Sequence, residues 1–155
     1  MQMPKVSSPM ARLTELFAGT WRGEEKLAAS ESDPAGSLAT GVWVVRPAAG
    51  GFCLLVDYDE SVDGRSVYRG HGVHGFDAAD ACFYAYWFDD MGGMSKAGNR
   101  ARFEDDRYTY EMPSARGTSR FTYAWKDGVF TFTIERSTDG VVFAPMHEGT
   151  YRRDA

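Results

Sequence analysis

Hydrophobic and polar residues alternate along most of this chain with a period of two. In one segment Phe130, Phe132 and Ile134 are separated by polar residues. The same period recurs over residues 52–58, 108–112 and 121–125. Successive side chains of a β-strand point to opposite faces, so this alternation is typical of strands with one buried face. The pattern therefore predicts a mainly β protein.

Turn-forming residues separate these segments about every ten residues, a spacing typical of antiparallel strands joined by short loops. Asp-Gly pairs at 63–64, 127–128 and 139–140 favour tight hairpins. The ten candidate strands lie near residues 21–30, 38–46, 51–60, 66–76, 82–89, 95–103, 107–113, 117–125, 128–136 and 141–153. A meander of this length can curl and close, which removes its exposed edges. We therefore expect an all-β fold, a ten-stranded antiparallel up-and-down barrel.

The segment before the strands has helical spacing. Its apolar stripe consists of Leu13, Leu16 and Phe17. Ser8 can cap a helix, Pro9 fits its first position, and Gly19 can take the left-handed conformation that ends it. The spacing predicts a short N-terminal helix over residues 8–19.

Trp21 opens the first strand directly after this helix, and Gly23 lies on the same face. A large aromatic ring below an apolar helix can close one end of a barrel, and an ordinary core Trp beside a turn is the alternative. We expect a single domain over residues 1–155, with a flexible start at 1–7 and the barrel at 20–153.

The alternation also assigns side chains to the barrel interior. With Phe143 as the reference, His147 and Tyr151 point inward on the last strand, and His74 points inward on the fourth. The strand at 82–89 is aromatic on both faces and has no clear phase. The residues expected to bind a ligand are Trp43, Tyr58, Tyr68, His74, Trp87, Tyr108, Tyr110, Tyr123, Trp125, His147 and Tyr151. An aromatic wall with a few polar groups is typical of a ligand pocket, although so many rings could also fill the interior themselves.

Composition narrows the function classes. The net charge is −5 and the pI is about 5.2, which argues against nucleic acid or an anionic membrane surface as a partner. No apolar run approaches the ~20 residues that span a bilayer, and the start lacks the pattern of a signal peptide. We expect a cytoplasmic protein, unless a leader has been removed.

Three stretches, residues 16–23, 70–77 and 86–92, resemble the bacterial family called domain of unknown function 1579. The resemblance covers nearly the whole chain. The positions with similar residues in the family pattern are Trp21, Gly75, Asp77, Trp87, Asp89, Glu148 and Tyr151. His74 departs from the pattern, which is usually aliphatic there. The resemblance implies a calycin-type β-barrel and carries no established chemistry with it.

The Gly-Thr-Trp motif that ends at Trp21 also resembles nitrobindin, a haem-binding barrel whose proximal histidine lies near the C-terminus. His147 is the nearest match, so this resemblance implies haem with His147 as axial ligand. Calycin barrels often place a late arginine across the first tryptophan. This implies a cation–π contact of Arg152 or Arg153 with Trp21, and a solvated basic C-terminus is the alternative.

Other motifs give weaker signals. His71 and His74 are three residues apart and face opposite sides of a strand, so they cannot chelate one ion. Residues 59–64 imitate the start of a calcium loop, but Gly70 stands where its final glutamate is required. Asp89 and Asp90 are adjacent and would diverge on a strand, so one of them is expected to organise the turn at 89–93 rather than act in catalysis. We therefore assign no metal and no catalytic residue.

Four functions remain open. The first is a carrier or sensor that binds a small hydrophobic or planar molecule. The second is haem binding through His147, and the third is a small hydrolase or isomerase with His147 or His74 as base. The fourth is an interaction module, such as a homodimer, that uses the outer aromatic face of residues 83–88.

The two cysteines test the strand order. Cys53 falls in the third strand and Cys82 in the fifth. Two strand spacings are roughly 10 Å, beyond the reach of a disulfide. We expect two free thiols that behave as small buried hydrophobic groups.

Overall fold

The computed structural model describes residues 1–155 as one short α-helix followed by ten strands, with a single 3₁₀ turn at Ala49–Gly51 between the second and third strands. The helix α1 spans Ser8–Phe17, and the strands are β1 Gly19–Leu27, β2 Ser37–Ala48, β3 Cys53–Val62, β4 Arg65–Asp77, β5 Cys82–Asp89, β6 Asn99–Glu104, β7 Arg107–Ser114, β8 Gly117–Lys126, β9 Val129–Ser137 and β10 Ala144–Arg153. Each strand pairs antiparallel with the next one along the chain, and β1 also pairs with β10. The sheet is thus a closed barrel without free edges, which confirms the predicted up-and-down topology.

Tight turns form at two of the three Asp-Gly pairs. Asp63 and Gly64 have φ values of 49° and 75°, and Asp127 and Gly128 have values of 52° and 76°. Two successive residues with positive φ make the type I′ turn that fits the twist of a hairpin. The third pair lies in a longer loop between β9 and β10. In this loop the Asp139 carboxylate accepts hydrogen bonds from the backbone N–H groups of Val141 and Val142.

The helix begins at residue 8, as expected, and ends at Phe17, two residues earlier than expected. Ser7, not Ser8, is the N-cap, and its hydroxyl accepts a hydrogen bond from the N–H of Met10 at 3.3 Å. Ala18 ends the helix in an extended conformation. Gly19 does not take the left-handed helical conformation. It has a φ of 128° and is the first residue of β1.

The apolar stripe of α1 closes one end of the barrel, hereafter the helix end. Its buried residues are Met10, Leu13 and Phe17. The Phe17 ring packs within 4.9–6.2 Å of four interior rings, those of Trp43, Tyr123, Trp125 and Phe130. Trp21 donates its indole N–H to the Phe17 carbonyl at 2.9 Å, which fixes the helix to the first strand.

Arg153 completes this closure from the last strand. Its guanidinium lies 4.6 Å from the centre of the Trp21 ring and donates to the carbonyls of Glu15 and Leu16. These carbonyls belong to the last turn of α1, where a cation is favoured. Arg152 is exposed as well, but its side chain makes no cation–π contact, ion pair or hydrogen bond, so the contact with Trp21 is made by Arg153.

The structure phases the aromatic strand β5. Phe83 and Ala85 are fully buried and Trp87 points into the barrel, whereas Tyr84, Tyr86 and Phe88 lie outside. We call these last three residues the outer aromatic patch. The next strand starts at Asn99, four residues later than expected, because residues 90–98 form a loop after Asp89.

The last strand contains an irregularity that the sequence did not reveal. The pairing with β9 shifts register between Pro145 and His147. Phe143 lies before the strand, and the guanidinium of Arg120 lies 3.7 Å from the centre of its ring. Arg120 also pairs with two glutamates on the outer surface of the barrel, so Phe143 lies outside. The predicted inward positions of His147 and Tyr151 are confirmed, although Phe143 was not a valid reference for them.

The cysteines are free, as predicted from the strand order. Strand β4 lies between the two cysteines: its Gly75 pairs with Cys53 of β3, and its Asp77 pairs with Cys82 of β5. Both cysteines are half-buried rather than fully buried. None of the helices is long and apolar enough to span a bilayer.

Candidate functional site

The two halves of the barrel interior differ. Aromatic rings fill the helix end, and the opposite half contains a cavity of about 370 Å³. Of the 17 residues that line it, 12 are hydrophobic. Seven of the residues expected to bind a ligand lie in this wall: Trp43, Tyr58, Tyr68, Trp87, Tyr110, Tyr123 and His147. The residues that the sequence reasoning did not nominate are Leu27, Glu60, Asp89, Met112, Ser119, Phe121, Phe132, Ile134, Arg136 and Met146.

The other four expected residues do not reach the cavity. His74 and Tyr108 are fully buried and joined by a hydrogen bond of 2.8 Å between the imidazole Nδ1 and the phenol oxygen. Burial lowers the pKa of His74 to about 4, so this imidazole is neutral at physiological pH. Trp125 packs on Phe17, and Tyr151 contacts a buried glutamate behind the cavity wall.

A cluster of polar side chains lies between the cavity and the packed interior. We call it the polar cluster; its members are Glu25, Tyr58, Glu60, His147 and Tyr151. Tyr58, Glu60 and His147 line the cavity, whereas Glu25 is fully buried behind them. The five residues come from β1, β3 and β10, which are brought together because β1 pairs with β10 and β2 pairs with both β1 and β3.

Short contacts hold the polar cluster together. The Tyr58 hydroxyl lies 2.7 and 2.8 Å from the two carboxylate oxygens of Glu25 and 2.9 Å from Oε2 of Glu60. Tyr151 donates to Glu25 at 2.5 Å. The Nε2 atom of His147 lies 3.3 Å from Glu25 and 3.4 Å from Glu60.

Two glycines make room for the polar cluster. A Cβ at Gly41 would lie 1.9 Å from a Glu25 carboxylate oxygen, and a Cβ at Gly149 would lie 1.9 Å from the Tyr151 hydroxyl. Real side chains do not approach so closely. The two buried polar groups therefore depend on the missing side chains of the neighbouring strands.

The same device positions Trp87. A Cβ at Gly70 would lie 1.9 Å from the Trp87 ring, and one at Gly72 would lie 3.0 Å from it. The ring therefore lies flat over two glycines of β4. Its indole N–H donates to the Tyr68 hydroxyl at 2.7 Å, and that hydroxyl donates to Asp89 at 3.2 Å.

Of the two adjacent aspartates, Asp89 is the one that organises the loop after β5. Its Oδ1 accepts hydrogen bonds from the backbone N–H groups of Met91 and Gly93, at 3.1 and 2.7 Å. Asp90 instead accepts a hydrogen bond from the N–H of Arg69. The adjacent carboxylates thus diverge and do not form an acid–base pair.

The polar cluster carries charge at neutral pH. Burial alone would lower the pKa of His147, but hydrogen bonds and charge from Glu25 and Glu60 outweigh it and raise the pKa to about 9. Burial alone would raise the pKa of Glu60, but its bonds to His147 and Tyr58 lower it. Burial, together with the charge of Glu25, raises the pKa of Tyr58 well above its ordinary value.

Glu25, Glu60 and His147 also form the one group in the structure that could hold a metal ion. One ligand atom from each lies within 4.8 Å of the others. The sequence reasoning missed this group, although the period of two places Glu25 on the face of Trp21 and Glu60 on the face of Tyr58. His71 and His74 lie on opposite faces as predicted, and His71 pairs with Asp57 on the outside.

The residues around His147 do not fit haem. An axial ligand needs a free lone pair on the ring nitrogen that faces the cofactor. The Nε2 atom of His147 is instead bound between Glu25 and Glu60, and its Nδ1 is buried without a partner. Binding haem would separate a buried ion pair.

The closed ten-stranded barrel, with a helix over one end and a cavity at the other, defines a calycin-type barrel. The chain belongs to the family described as protein of unknown function (DUF1579), which matches residues 8–153. Its structure is similar to that of Rv2717c from M. tuberculosis, with a TM-score of 0.70 and 12% sequence identity over 97% of this chain and 100% of that chain. It is also similar to a mutant of the fluorescent protein UnaG, with a TM-score of 0.56 and 14% identity over 92% of this chain and 99% of that chain. No curated protein sequence matches it.

Proposed function

We propose that this protein is a carrier or sensor that binds a small, largely apolar or planar molecule inside the barrel. The observation that carries the proposal is the cavity of about 370 Å³ with its mostly hydrophobic wall. Ligand pockets start at roughly 300 Å³ and combine an apolar wall with a few polar groups. Eight-stranded and larger barrels of this kind hold one small ligand in the same place.

A fluorescent dye that is neutral, planar and apolar tests the proposal. N-phenyl-1-naphthylamine should bind with saturable fluorescence enhancement and a stoichiometry of one dye per chain. Ile134→Trp, which adds volume to the cavity wall, should abolish this binding. Thr133→Trp is the matched control, since its side chain points away from the cavity on the same strand. No binding to the wild type, or equal binding to both variants, would contradict the proposal.

Haem binding is disfavoured by the ion pairs of His147, as described above. Titration of the protein with haemin should give no Soret shift of a histidine-ligated haem. A Soret shift that disappears in His147→Ala would restore the haem hypothesis.

The hydrolase or isomerase hypothesis requires a neutral imidazole that reaches a substrate. His74 is neutral but does not line the cavity, and His147 lines the cavity but holds a proton at neutral pH. Neither histidine therefore combines the two properties of a general base, and the geometry supports binding better than catalysis.

The homodimer and the cytoplasmic location stay predictions. The dimer would use the outer aromatic patch, where Tyr86 and Phe88 are 37% and 38% exposed. Light scattering at two concentrations distinguishes a dimer from a monomer. A monomer at the higher concentration would remove the interaction hypothesis.

A further inference from the structure

The polar cluster has fewer hydrogen-bond donors than its carboxylates can use. Three donors face Glu25 and Glu60: the hydroxyls of Tyr58 and Tyr151 and the Nε2–H of His147. The Tyr58 hydroxyl has one proton but three carboxylate oxygens within 2.9 Å. One proton cannot serve all three, so the two carboxylates remain short of donors.

Glu60 is the carboxylate that can accept more. Its Oε2 takes the contacts with Tyr58 and His147, and its Oε1 makes no hydrogen bond within the protein. Glu60 lines the cavity and its side chain is 12% exposed, whereas that of Glu25 is completely buried. The unused oxygen therefore belongs to the group that a ligand in the cavity can reach.

The balance of charge favours a positive partner. The polar cluster contains two carboxyl groups, those of Glu25 and Glu60, and a single basic group, the imidazole of His147. Asp89 adds a second carboxylate to the cavity wall, and Arg136 adds one exposed cation two residues beyond Ile134. The positive charge at the mouth is accessible to water, and the negative charge lies deep in the cavity where it is less screened.

Aromatic faces surround the same position. The rings of Trp43, Tyr58, Tyr68 and Trp87 all line the cavity, and neighbouring centroids are 4.3–6.5 Å apart. The negative face of an aromatic ring attracts cations, most strongly for Trp. A carboxylate beside Trp and Tyr rings is a chemical environment suited to an organic ammonium group.

We infer that the ligand is an organic cation, with a protonated nitrogen at Glu60 and a planar apolar body against the wall of the cavity. This inference rests on the proposed function and specifies the chemical class of its ligand. The protonated nitrogen donates to the free Oε1 of Glu60, which is a charge-assisted hydrogen bond. A carboxylate ligand would instead meet a second acceptor, the carboxylate of Glu60, at the same position.

Three probes of nearly equal shape test the inference: 1-naphthylmethylammonium, 1-naphthylmethanol and 1-naphthylacetate. They are cationic, neutral and anionic at pH 7, and quenching of tryptophan fluorescence reports their binding. We expect the ammonium to bind at least about tenfold more tightly than the alcohol, and the acetate most weakly.

Glu60→Gln should reduce the affinity for the ammonium to about that for the alcohol and leave the affinity for the alcohol within about twofold. Glu111→Gln is the matched control, because Glu111 pairs with Arg120 on the outer surface. The comparison of the three probes on the wild type needs no variant. It therefore tests the preference for a cationic ligand even if Glu60→Gln does not fold.

The outcomes separate the two claims. Equal or tighter binding of the alcohol or the acetate would overturn the organic cation and leave the proposed function intact. No binding of any probe would overturn both.

A divalent metal ion is the other source of positive charge, so Zn²⁺ is titrated in parallel. Zn²⁺ binding that is lost in His147→Ala, with no preference for the ammonium, would assign the polar cluster to a metal and overturn the inference.

Discussion

The two interior histidines hold opposite protonation states because their neighbours differ. His74 faces a neutral phenol and aromatic rings, so burial determines its pKa. His147 faces Glu25 and Glu60, whose charges outweigh its burial. A histidine on the inner face of a strand can therefore be a neutral core residue or a buried cation, and only its contacts decide between them.

This difference predicts a distinct NMR signature. Between pH 6 and 7.5, the ¹⁵N shifts of the His147 ring should be those of an imidazolium, and those of the His74 ring should be those of a neutral imidazole. The two residues serve as internal controls for each other in one spectrum. A neutral His147 ring at pH 7 would contradict the ionic description of the polar cluster.

The same group makes stability depend on pH. The folded pKa of His147, about 9, lies above its ordinary value of 6.5, so folding favours the proton. This stabilisation is complete below pH 6.5 and is lost as the pH rises through about 9. The loss amounts to about 3 kcal/mol in the free energy of unfolding at most.

Urea denaturation between pH 6 and 10 measures this loss. The difference in stability between the wild type and His147→Gln should shrink as the pH rises, because the variant has no group to titrate there. A difference that stays constant across this range would show that His147 holds no extra proton in the folded state.

For single residues, the sequence predicted which side of the barrel wall a side chain occupies better than it predicted which side chains it contacts. Alternation placed Tyr58, His74 and His147 inside the barrel, where the structure has them. It did not direct attention to Glu25 and Glu60, because acidic residues are mostly exposed unless they are paired. Their pairing depends on strand neighbours that are distant in the sequence.

Helix α1 and the last strand stabilise each other at the helix end. Arg153 donates to two carbonyls of the last helical turn and covers Trp21. The sequence predicted the helix and narrowed the possible cation–π partner of Trp21 to Arg152 or Arg153. It did not predict which serine caps the helix, since Ser7 and Ser8 have the same side chain. The register shift near His147 was equally invisible, because a bulge leaves no fixed residue pattern.

Replacing these arginines separates their roles. Arg153→Ala should lower the free energy of unfolding by about 1 kcal/mol, through loss of the cation–π contact and the bonds to the helix. Arg152→Ala should change it by less than about 0.5 kcal/mol, because the exposed Arg152 side chain contacts neither Trp21 nor the helix. Chemical denaturation of both variants measures the difference. Equal effects would show that the C-terminal arginines act only as solvated charges.

For the whole molecule, the period of two and the turn spacing were enough to predict ten strands in sequential order. Closure follows because a long, twisted meander can pair its first strand with its last. The cavity was not predictable in the same way. Alternation identifies inward rings, but it does not say that Phe17 and Trp125 fill one half while Trp87 and Tyr68 border a space in the other.

The strand order also determines the redox state of the cysteines. Cys53 and Cys82 are separated by the whole of β4. We expect two titratable thiols per chain in denaturant without reductant. A single intramolecular disulfide would contradict the order β3, β4, β5 and the barrel built on it.

A crystal structure with bound N-phenyl-1-naphthylamine tests the central claim most directly, because it shows where a planar ligand binds. We expect one dye per chain inside the barrel, against Trp43, Trp87 and Phe132 and next to the polar cluster. Dye found only on the outer aromatic patch, or a cavity that stays free of dye at saturating concentration, would contradict it.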